Sequence, residues 1–384
     1  MKRIISFLLL LTQIVSCNPR TSERQELVDP PLLPVADTSS PVGINAPLIE
    51  SPALVKIRFL NERDGWGVTE TQIVRTNDGG ITWYNVTPNE ITETGYSVDW
   101  FVLDNNNVWI QQPDFANFPF GGFQYHTSDG GMNWSKTEVP YSGAKISFLE
   151  ANNGWALADL GVGAGSNAVA VYQTSDAGAT WNMNFINDPN QASASDSLPL
   201  GGLKFGLTPL DMQTAWIFGV VYAPGTPYLF RTDDGGRTWS PVQLPLPPGA
   251  ENAEVGIEQM AFTSDHDAYI LMRALSEASN LVLYVSNDGG NTWAITPTLI
   301  PGGGFADFLP AGGIVLYNRA QFYVTRDSAR TWSIIPPDIA FGEIFAGMDF
   351  LTASTGYVIT QDPTNHRSLY RTDDGGATWL PVIP

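Results

Sequence analysis

Residues 76–83 read Thr-Asn-Asp-Gly-Gly-Ile-Thr-Trp, and this stretch decides the fold because it recurs along the chain. The pattern Ser/Thr-x-Asp-x-Gly-x-Thr-Trp occurs seven times, in copies that end at Trp83, Trp134, Trp181, Trp239, Trp293, Trp332 and Trp379. Successive tryptophans lie 39 to 58 residues apart, and one four-stranded propeller blade takes roughly 40–50 residues. The repeat therefore predicts an all-β, seven-bladed β-propeller with one such box per blade.

The box residues are typical of a hairpin turn that fastens itself. The carboxylate accepts backbone N–H groups of its own turn, the glycine adopts a backbone conformation that a β-carbon opposes, and the tryptophan covers the hairpin. In the sixth copy Ala329 replaces the glycine, so we expect a strained turn there. We expect a structural role for the seven carboxylates, which belong to Asp78, Asp129, Asp176, Asp234, Asp288, Asp327 and Asp374.

A second, weaker repeat precedes the boxes. Phe59 stands seven residues before Trp66, and the same spacing joins Phe148 to Trp155 and Phe350 to Tyr357. We expect the residue before each repeated aromatic to line a central channel, on the innermost strands, which gives Arg58, Trp100, Ser147, Ala261, Asp307 and Asp349. The group around Arg58, Asp307 and Asp349 has two interpretations. It is an ion pair that helps to close the ring, or a polar ligand site beside Trp100.

Composition excludes several classes of function. The chain has 384 residues and is 43% hydrophobic, so it is long enough and apolar enough to bury a core. Its 39 acidic against 19 basic residues disfavour a nucleic-acid binder, which needs a basic face. One cysteine and three histidines give no ligand set for zinc. We therefore expect no nucleic-acid partner, no metal and no cofactor.

The N-terminus is typical of an export signal. Lys2 and Arg3 precede a short apolar run that ends before Ser16-Cys17, and such a run is too short to span a bilayer. We assign residues 1–16 to a signal peptide, 17–51 to an acylated Cys17 and a proline-rich tether, and 52–384 to the propeller. This organisation predicts a lipid-anchored protein on the extracytoplasmic side of a bacterial membrane. The last blade is either complete from the C-terminus or latched by a strand from residues 42–49.

The box identifies a resemblance. It is the Asp box, or BNR repeat, and together with the Phe…Gly-Trp repeat it resembles the photosystem II stability/assembly factor family across residues 52–384. Ile14-Val15-Ser16-Cys17 likewise resembles the lipobox of bacterial lipoproteins. The resemblance implies a seven-bladed propeller that binds a protein partner, in that family through an arginine-rich patch. Arginines adjacent to boxes are Arg75, Arg231, Arg237, Arg330 and Arg371.

Two functions remain open from the sequence. The first is a monomeric, non-enzymatic scaffold that binds a protein partner, such as a membrane complex during assembly. The alternative is a glycan-active enzyme or carbohydrate-binding module of the sialidase or xyloglucanase type. Paired carboxylates for such chemistry need two acids that face one substrate, whereas each box carboxylate is expected to serve a separate blade.

Overall fold

The computed structural model describes residues 46–384, which form an all-β propeller with two short 3-10 turns, Pro310–Gly312 and Gly342–Ile344. The predicted signal peptide, Cys17 and most of the predicted tether lie outside these residues. Among residues 46–384, no helix has the length and apolar character that a membrane crossing requires. We number the units of the propeller 1 to 7 by the box that each contains.

Every unit consists of four consecutive antiparallel strands, and β1 (Leu48–Ile49) is added to the first. Units 1 to 3 contain β2 (Lys56–Phe59), β3 (Gly65–Val68), β4 (Ile73–Thr76), β5 (Trp83–Asn85), β6 (Asp99–Val102), β7 (Val108–Pro113), β8 (Gly122–Thr127), β9 (Ser135–Val139), β10 (Ala144–Phe148), β11 (Gly154–Gly163), β12 (Ser166–Thr174) and β13 (Asn182–Ile186).

Units 4 and 5 follow with β14 (Leu203–Pro209), β15 (Ala215–Val220), β16 (Tyr228–Thr232), β17 (Ser240–Pro241), β18 (Glu254–Phe262), β19 (Ala268–Leu275), β20 (Ser279–Ser286) and β21 (Ala294–Pro301). Units 6 and 7 contain β22 (Phe305–Phe308), β23 (Ile314–Tyr317), β24 (Phe322–Thr325), β25 (Ser333–Ile335), β26 (Phe345–Phe350), β27 (Gly356–Gln361), β28 (Arg367–Thr372) and β29 (Leu380–Pro381).

The prediction of seven blades is wrong. Among the described strands, only five sheets are separate blades of four or five strands, and these contain boxes 1, 2, 3, 6 and 7. The strands with boxes 4 and 5 share one eight-stranded sheet. The physical reason is a pairing between Val220 at the end of β15 and Gly256 in β18, which continues the hydrogen-bonded ladder from one unit into the next. Counting boxes cannot detect such a fusion.

The hydrophobic core lies between neighbouring units. Each cluster of buried side chains takes residues from two successive units, as where Trp155 of unit 3 and Trp239 of unit 4 join one cluster. Another cluster joins Phe59 and Trp83 of unit 1 to Tyr357 and Leu369 of unit 7. Because the last unit packs on the first, the units form a closed ring.

In units 1, 3 and 7 the Phe…Gly repeat is a contact between the first and second strands. Phe59 pairs with Gly65 across the first two strands, and a β-carbon at Gly65 would lie 2.7 Å from the Phe59 ring. Phe350 and Gly356 have the same relationship, at 2.3 Å. The glycine is needed because the phenylalanine ring of the first strand lies against the backbone of the second strand, where a β-carbon would clash with it.

In the part of the chain that the structure describes, no strand from the N-terminal side enters unit 7. Within residues 46–384, unit 7 is completed by β29 from the C-terminus alone, and β1 pairs with β5 on the outer edge of unit 1. Leu48–Ile49 therefore extend the first sheet and do not contribute a strand to the last.

Antiparallel order assigns the loops to two faces of the propeller. The box face contains the turns from first to second strand and from third to fourth strand, where all seven boxes lie. The insert face contains the turns from second to third strand and the connections between units. Both long inserts, residues 114–121 and 187–202, lie on the insert face.

Candidate functional site

Each box closes on itself through its carboxylate. In unit 4, Asp234 Oδ1 accepts hydrogen bonds from the Thr238 amide and the Thr232 hydroxyl at 2.9 and 2.8 Å, and Oδ2 accepts one from the Thr238 hydroxyl at 2.6 Å. The Thr292 hydroxyl and amide, in the same arrangement, lower the pKa of Asp288 to about 2. Similar bonds hold Asp78, Asp129, Asp176, Asp327 and Asp374. All seven carboxylates are therefore occupied inside their own turns.

The box tryptophans are packed against the sheets. The Trp83 indole N–H donates to the Gly80 carbonyl at 2.9 Å, and Trp239 and Trp379 repeat this bond in their own boxes. Four of the indoles are buried, those of Trp83, Trp239, Trp293 and Trp379. The others are half-buried and contact the hydrophobic clusters, and they belong to Trp134, Trp181 and Trp332.

The boxes also contact the aromatic residues of the second repeat. A β-carbon at Gly290 of box 5 would lie 2.6 Å from Trp216 of the preceding unit. Trp109 of unit 2 donates its indole N–H to the Ala177 carbonyl of box 3 at 2.8 Å. The two sequence repeats thus meet in one interface, which joins each unit to the next.

Box 6 keeps the hydrogen bonds of the other boxes despite its alanine. The Ala329 amide donates to the Thr325 hydroxyl at 3.1 Å, as the Gly376 amide does to Thr372 at 3.0 Å. Ala329 has φ +64°, a left-handed conformation that costs a residue with a β-carbon about 1–2 kcal/mol. The turn is therefore strained in its backbone and preserved in its bonding.

Arg58 and Asp349 meet where unit 7 packs on unit 1. Arg58 Nη1 lies 2.9 Å from Asp349 Oδ1, and Oδ2 of the same carboxylate accepts the Phe59 amide. Asp307 accepts the Phe350 amide at 2.8 Å, and so joins the inner strands of units 6 and 7. Both carboxylates therefore bond the first strand of the following unit, an arrangement that favours a ring-closing role.

Burial changes the protonation of this pair. Burial and, after it, the neighbouring charge of Asp349 raise the pKa of Asp307 to about 8, against the opposing effects of the Phe350 amide and Arg58. Burial also raises the pKa of Asp349, although the Arg58 guanidinium opposes this shift. One proton in the pair relieves the repulsion between these two neighbouring acids.

The other predicted channel residues lie on first strands too, but outside the group of Arg58, Asp307 and Asp349. Trp100 is half-buried and packs on the cluster between units 1 and 2, with Val55 and Val98. Ser147 and Ala261 lie on the inner strands β10 and β18. The structure brings together Arg58, Asp307 and Asp349, but it places Trp100 in a hydrophobic interface.

Three of the five arginines beside the boxes, Arg75, Arg231 and Arg371, donate a hydrogen bond to a neighbouring unit. Arg75 is buried over the Trp66 ring and donates to the Gly130 carbonyl of box 2 at 3.2 Å. Arg231 lies over Trp216 at 5.0 Å and is paired with Asp233. Arg371 lies over Tyr357 and pairs with Glu62 and Asp373. Arg237 donates to its own box at the Asp234 carbonyl, and Arg330 is exposed.

The insert face contains a depression of about 300 Å³, which we call the aromatic pocket. It lies where units 2, 3 and 4 meet, and its lining includes Tyr96, Phe115, Phe118, Lys145, Lys204 and Phe205. Phe115 is 74% exposed, Tyr96 59%, Phe118 46% and Phe205 45%. Large aromatic side chains gathered in contact with solvent are typical of a binding site rather than of folding.

The aromatic pocket was not predicted from the sequence. The signal was present in the insert at residues 114–122, which places Phe115, Phe118 and Phe120 within six positions of one loop. Lys145 and Phe205 are brought to the same place by the ring, from the innermost strands of units 3 and 4.

A larger cleft of about 680 Å³ lies at the outer edge of units 1 and 2. Its walls include Asn85, Thr87, Glu90 and the turn of box 2. The walls lack the exposed aromatic side chains of the aromatic pocket, apart from the half-buried Trp134, so we regard the aromatic pocket as the better candidate.

Comparisons with known proteins find chains that are similar to this one. A family model described as photosynthesis system II assembly factor YCF48 matches residues 44–196. The chain is 24% identical over 297 residues to the photosystem II assembly lipoprotein Ycf48 of Synechococcus sp. (strain CC9902), which covers 69% of this chain and 81% of the relative.

Solved structures support the propeller fold. YCF48 bound to D1 peptide is 17% identical, with a TM-score of 0.52 over 85% of this chain and 94% of that one. An ulvan lyase of polysaccharide lyase family PL25 is 10% identical, with a TM-score of 0.50 over 88% and 96%. At these identities the structures establish a shared fold, and no more.

Proposed function

From its resemblance to the photosystem II assembly factor family, we propose that this chain is a non-enzymatic scaffold, which is anchored by lipid and binds a protein partner while a membrane complex assembles. The observation that carries this proposal is the aromatic pocket, whose exposed aromatic side chains on the insert face are not part of the hydrophobic core. The relative's name as an assembly lipoprotein supports both the role and the anchor.

The anchor rests on Cys17. Acylated at this position, the mature chain is held on the extracytoplasmic side of a bacterial membrane, and residues 18–45 separate the propeller from the lipid. Mass spectrometry of the mature protein tests this assignment, since its N-terminal peptide should begin at an acylated Cys17. The Cys17→Ser variant should move to the soluble fraction, and its retention on membranes would contradict the anchor.

Non-enzymatic action is supported by the state of the acidic residues. The box carboxylates are hydrogen-bonded in separate turns, and Asp307 and Asp349 are bonded to backbone amides. A glycosidase needs two carboxyl groups free to face one sugar. Turnover of chromogenic sialosides or xyloglucan, abolished by Asp307→Asn, would instead support the glycan-active alternative.

The scaffold role is tested by affinity capture of the anchored chain from detergent-solubilised membranes. We expect recovery of one membrane complex in fixed proportion to the chain, and recovery of the chain when a subunit of that complex is tagged. Equal recovery with an unrelated lipoprotein of the same membrane would contradict the scaffold.

A further inference from the structure

The aromatic pocket combines exposed aromatic rings with lysine side chains, in a chain whose acidic residues outnumber its basic ones. Three of the chain's five lysines lie at or beside it, namely Lys56, Lys145 and Lys204. The chain as a whole has 39 acidic and 19 basic residues. The lining itself has two lysines and two aspartates, so it lacks the excess of acidic residues that the chain as a whole has, and this is the second feature of the pocket besides the aromatic rings.

The two carboxylates in the pocket are already engaged. Asp99 accepts the Ile146 amide at 3.0 Å and lies 3.3 Å from the Lys145 ammonium, and Asp159 accepts the Gly161 amide. Lys145 remains 64% exposed, with donors free for a further acceptor. The pocket therefore offers one reachable cation next to exposed aromatic rings.

Lys204 makes the floor of the pocket rigid. Its ammonium donates to the carbonyls of Asn167, Leu200 and Gly202 at 2.9, 2.6 and 3.0 Å, which fastens the end of the insert at residues 187–202 to unit 3. Burial lowers the pKa of Lys204 to about 8, so the group is mostly charged at neutral pH. Because the backbone beside Phe205 is already held in place, binding a partner there loses less conformational entropy.

We propose that the aromatic pocket docks an extended segment of a partner protein, which presents large apolar side chains to Phe115, Phe118 and Phe205 and an acidic side chain to Lys145. This inference rests on the proposed scaffold function and names its contact surface. Apolar contact with the rings supplies most of the affinity, and the carboxylate selects among segments through charge complementarity.

The probe is an acetylated, amidated peptide with the core Leu-Phe-Asp-Leu, and its affinity for the full mature chain is measured by isothermal titration calorimetry. We expect Phe205→Ala and Phe118→Ala each to weaken binding at least tenfold. Lys145→Ala should weaken it about threefold and reduce its dependence on salt. A second peptide with the core Leu-Phe-Lys-Leu should bind at least tenfold more weakly than the first.

The matched controls lie on other surfaces. Ile334→Ala removes an exposed apolar side chain from unit 6, and Lys136→Ala removes an exposed lysine paired with Glu90. Both should bind the acidic peptide as the unaltered chain does. Thermal melts of all variants identify loss through misfolding, and the proposal requires weaker binding at unchanged melting temperature.

Equal binding of the two peptides, or unchanged binding by the Phe205→Ala variant, would overturn the docking site. Two further results would assign the pocket to another occupant. Vesicle binding that Phe205→Ala abolishes would indicate a phosphatidylcholine surface, and a dimer in sedimentation that Phe205→Ala dissociates would indicate a second copy of the chain. If the Phe205→Ala chain still captures the membrane complex, the docking site is wrong while the scaffold function stands. If the unaltered chain captures no complex, the scaffold function itself fails.

Discussion

Arg58 and Asp349 are separated by 291 positions in the chain, yet Arg58 Nη1 lies 2.9 Å from Asp349 Oδ1. The Asp349 carboxylate also accepts the Phe59 amide. A single buried side chain thus bonds the first strand of unit 1 twice, and it joins the beginning of the described ring to its end.

Asp349→Ala should therefore destabilise the ring. The change leaves the Arg58 guanidinium and the Phe59 amide without their acceptor, which should lower the free energy of unfolding by about 1–3 kcal/mol. Urea unfolding measures the loss. Lys136→Ala, which breaks an exposed ion pair with Glu90, should cost less than about 1 kcal/mol. Equal losses in the two variants would contradict a special role for the closure.

The stability of the protein should fall as pH rises from about 4 to about 8 through Asp307. Its pKa is about 8 when folded and about 3.9 when unfolded, so the folded state binds the proton more tightly. The favourable contribution is complete below pH 4 and is lost as pH rises through 8, with a slope below about 1.4 kcal/mol per pH unit. Urea unfolding at pH 5 and pH 8 measures this difference.

Asp307→Asn keeps the acceptor for the Phe350 amide and removes the titrating group, so the part of the pH dependence due to this residue should disappear. Asp233→Asn, at an exposed carboxylate paired with Arg231, serves as the control. The same slope in the Asp307→Asn variant and the unaltered chain would show that Asp307 does not titrate in this range.

Two adjacent acids test the role of the box. Asp234 accepts four hydrogen bonds from protein donors within box 4, whereas Asp233 only pairs with Arg231 at the surface. Asp234→Ala should lower the free energy of unfolding by about 2–3 kcal/mol, and Asp233→Ala by less than about 1 kcal/mol. Differential scanning calorimetry measures the stability of the two variants. Equal losses of stability would contradict the role of Asp234 in holding the turn together.

Ala329 and Gly290 occupy equivalent positions in boxes 6 and 5, so opposite substitutions should have opposite effects. Ala329→Gly relieves a β-carbon at φ +64° and should stabilise the protein by about 0.5–1 kcal/mol. Gly290→Ala places a β-carbon at φ +77° and 2.6 Å from Trp216, and should destabilise it by more than about 1 kcal/mol. Thermal unfolding of both variants measures the two changes in stability. Changes of the same sign would contradict strain at Ala329.

The repeats predicted the all-β propeller because each box contains its own hydrogen-bonding partners within eight residues. Asp78 and Thr82 meet without help from the rest of the chain, so their bond is readable from local sequence. The meeting of Arg58 with Asp349 was also accessible, since repeats of equal spacing place equivalent residues on neighbouring inner strands.

The number of blades and the aromatic pocket were not accessible in this way. The pairing of Val220 with Gly256 depends on how two units are rotated against each other, which no repeat records. Phe205 and Phe118 belong to units 4 and 2, and they approach the same depression only because the intervening unit curves around it. Both features arise from packing between units.

Within residues 46–384, the only strand that precedes unit 1 is Leu48–Ile49, two residues long and laid along the sheet's outer edge. A pull on the chain from its N-terminal side would reach this short strand before any other. Leu48 and Ile49 would separate from Tyr84 and Trp83 one residue after the other. A small pulling force would therefore detach this strand and leave the ring of units intact.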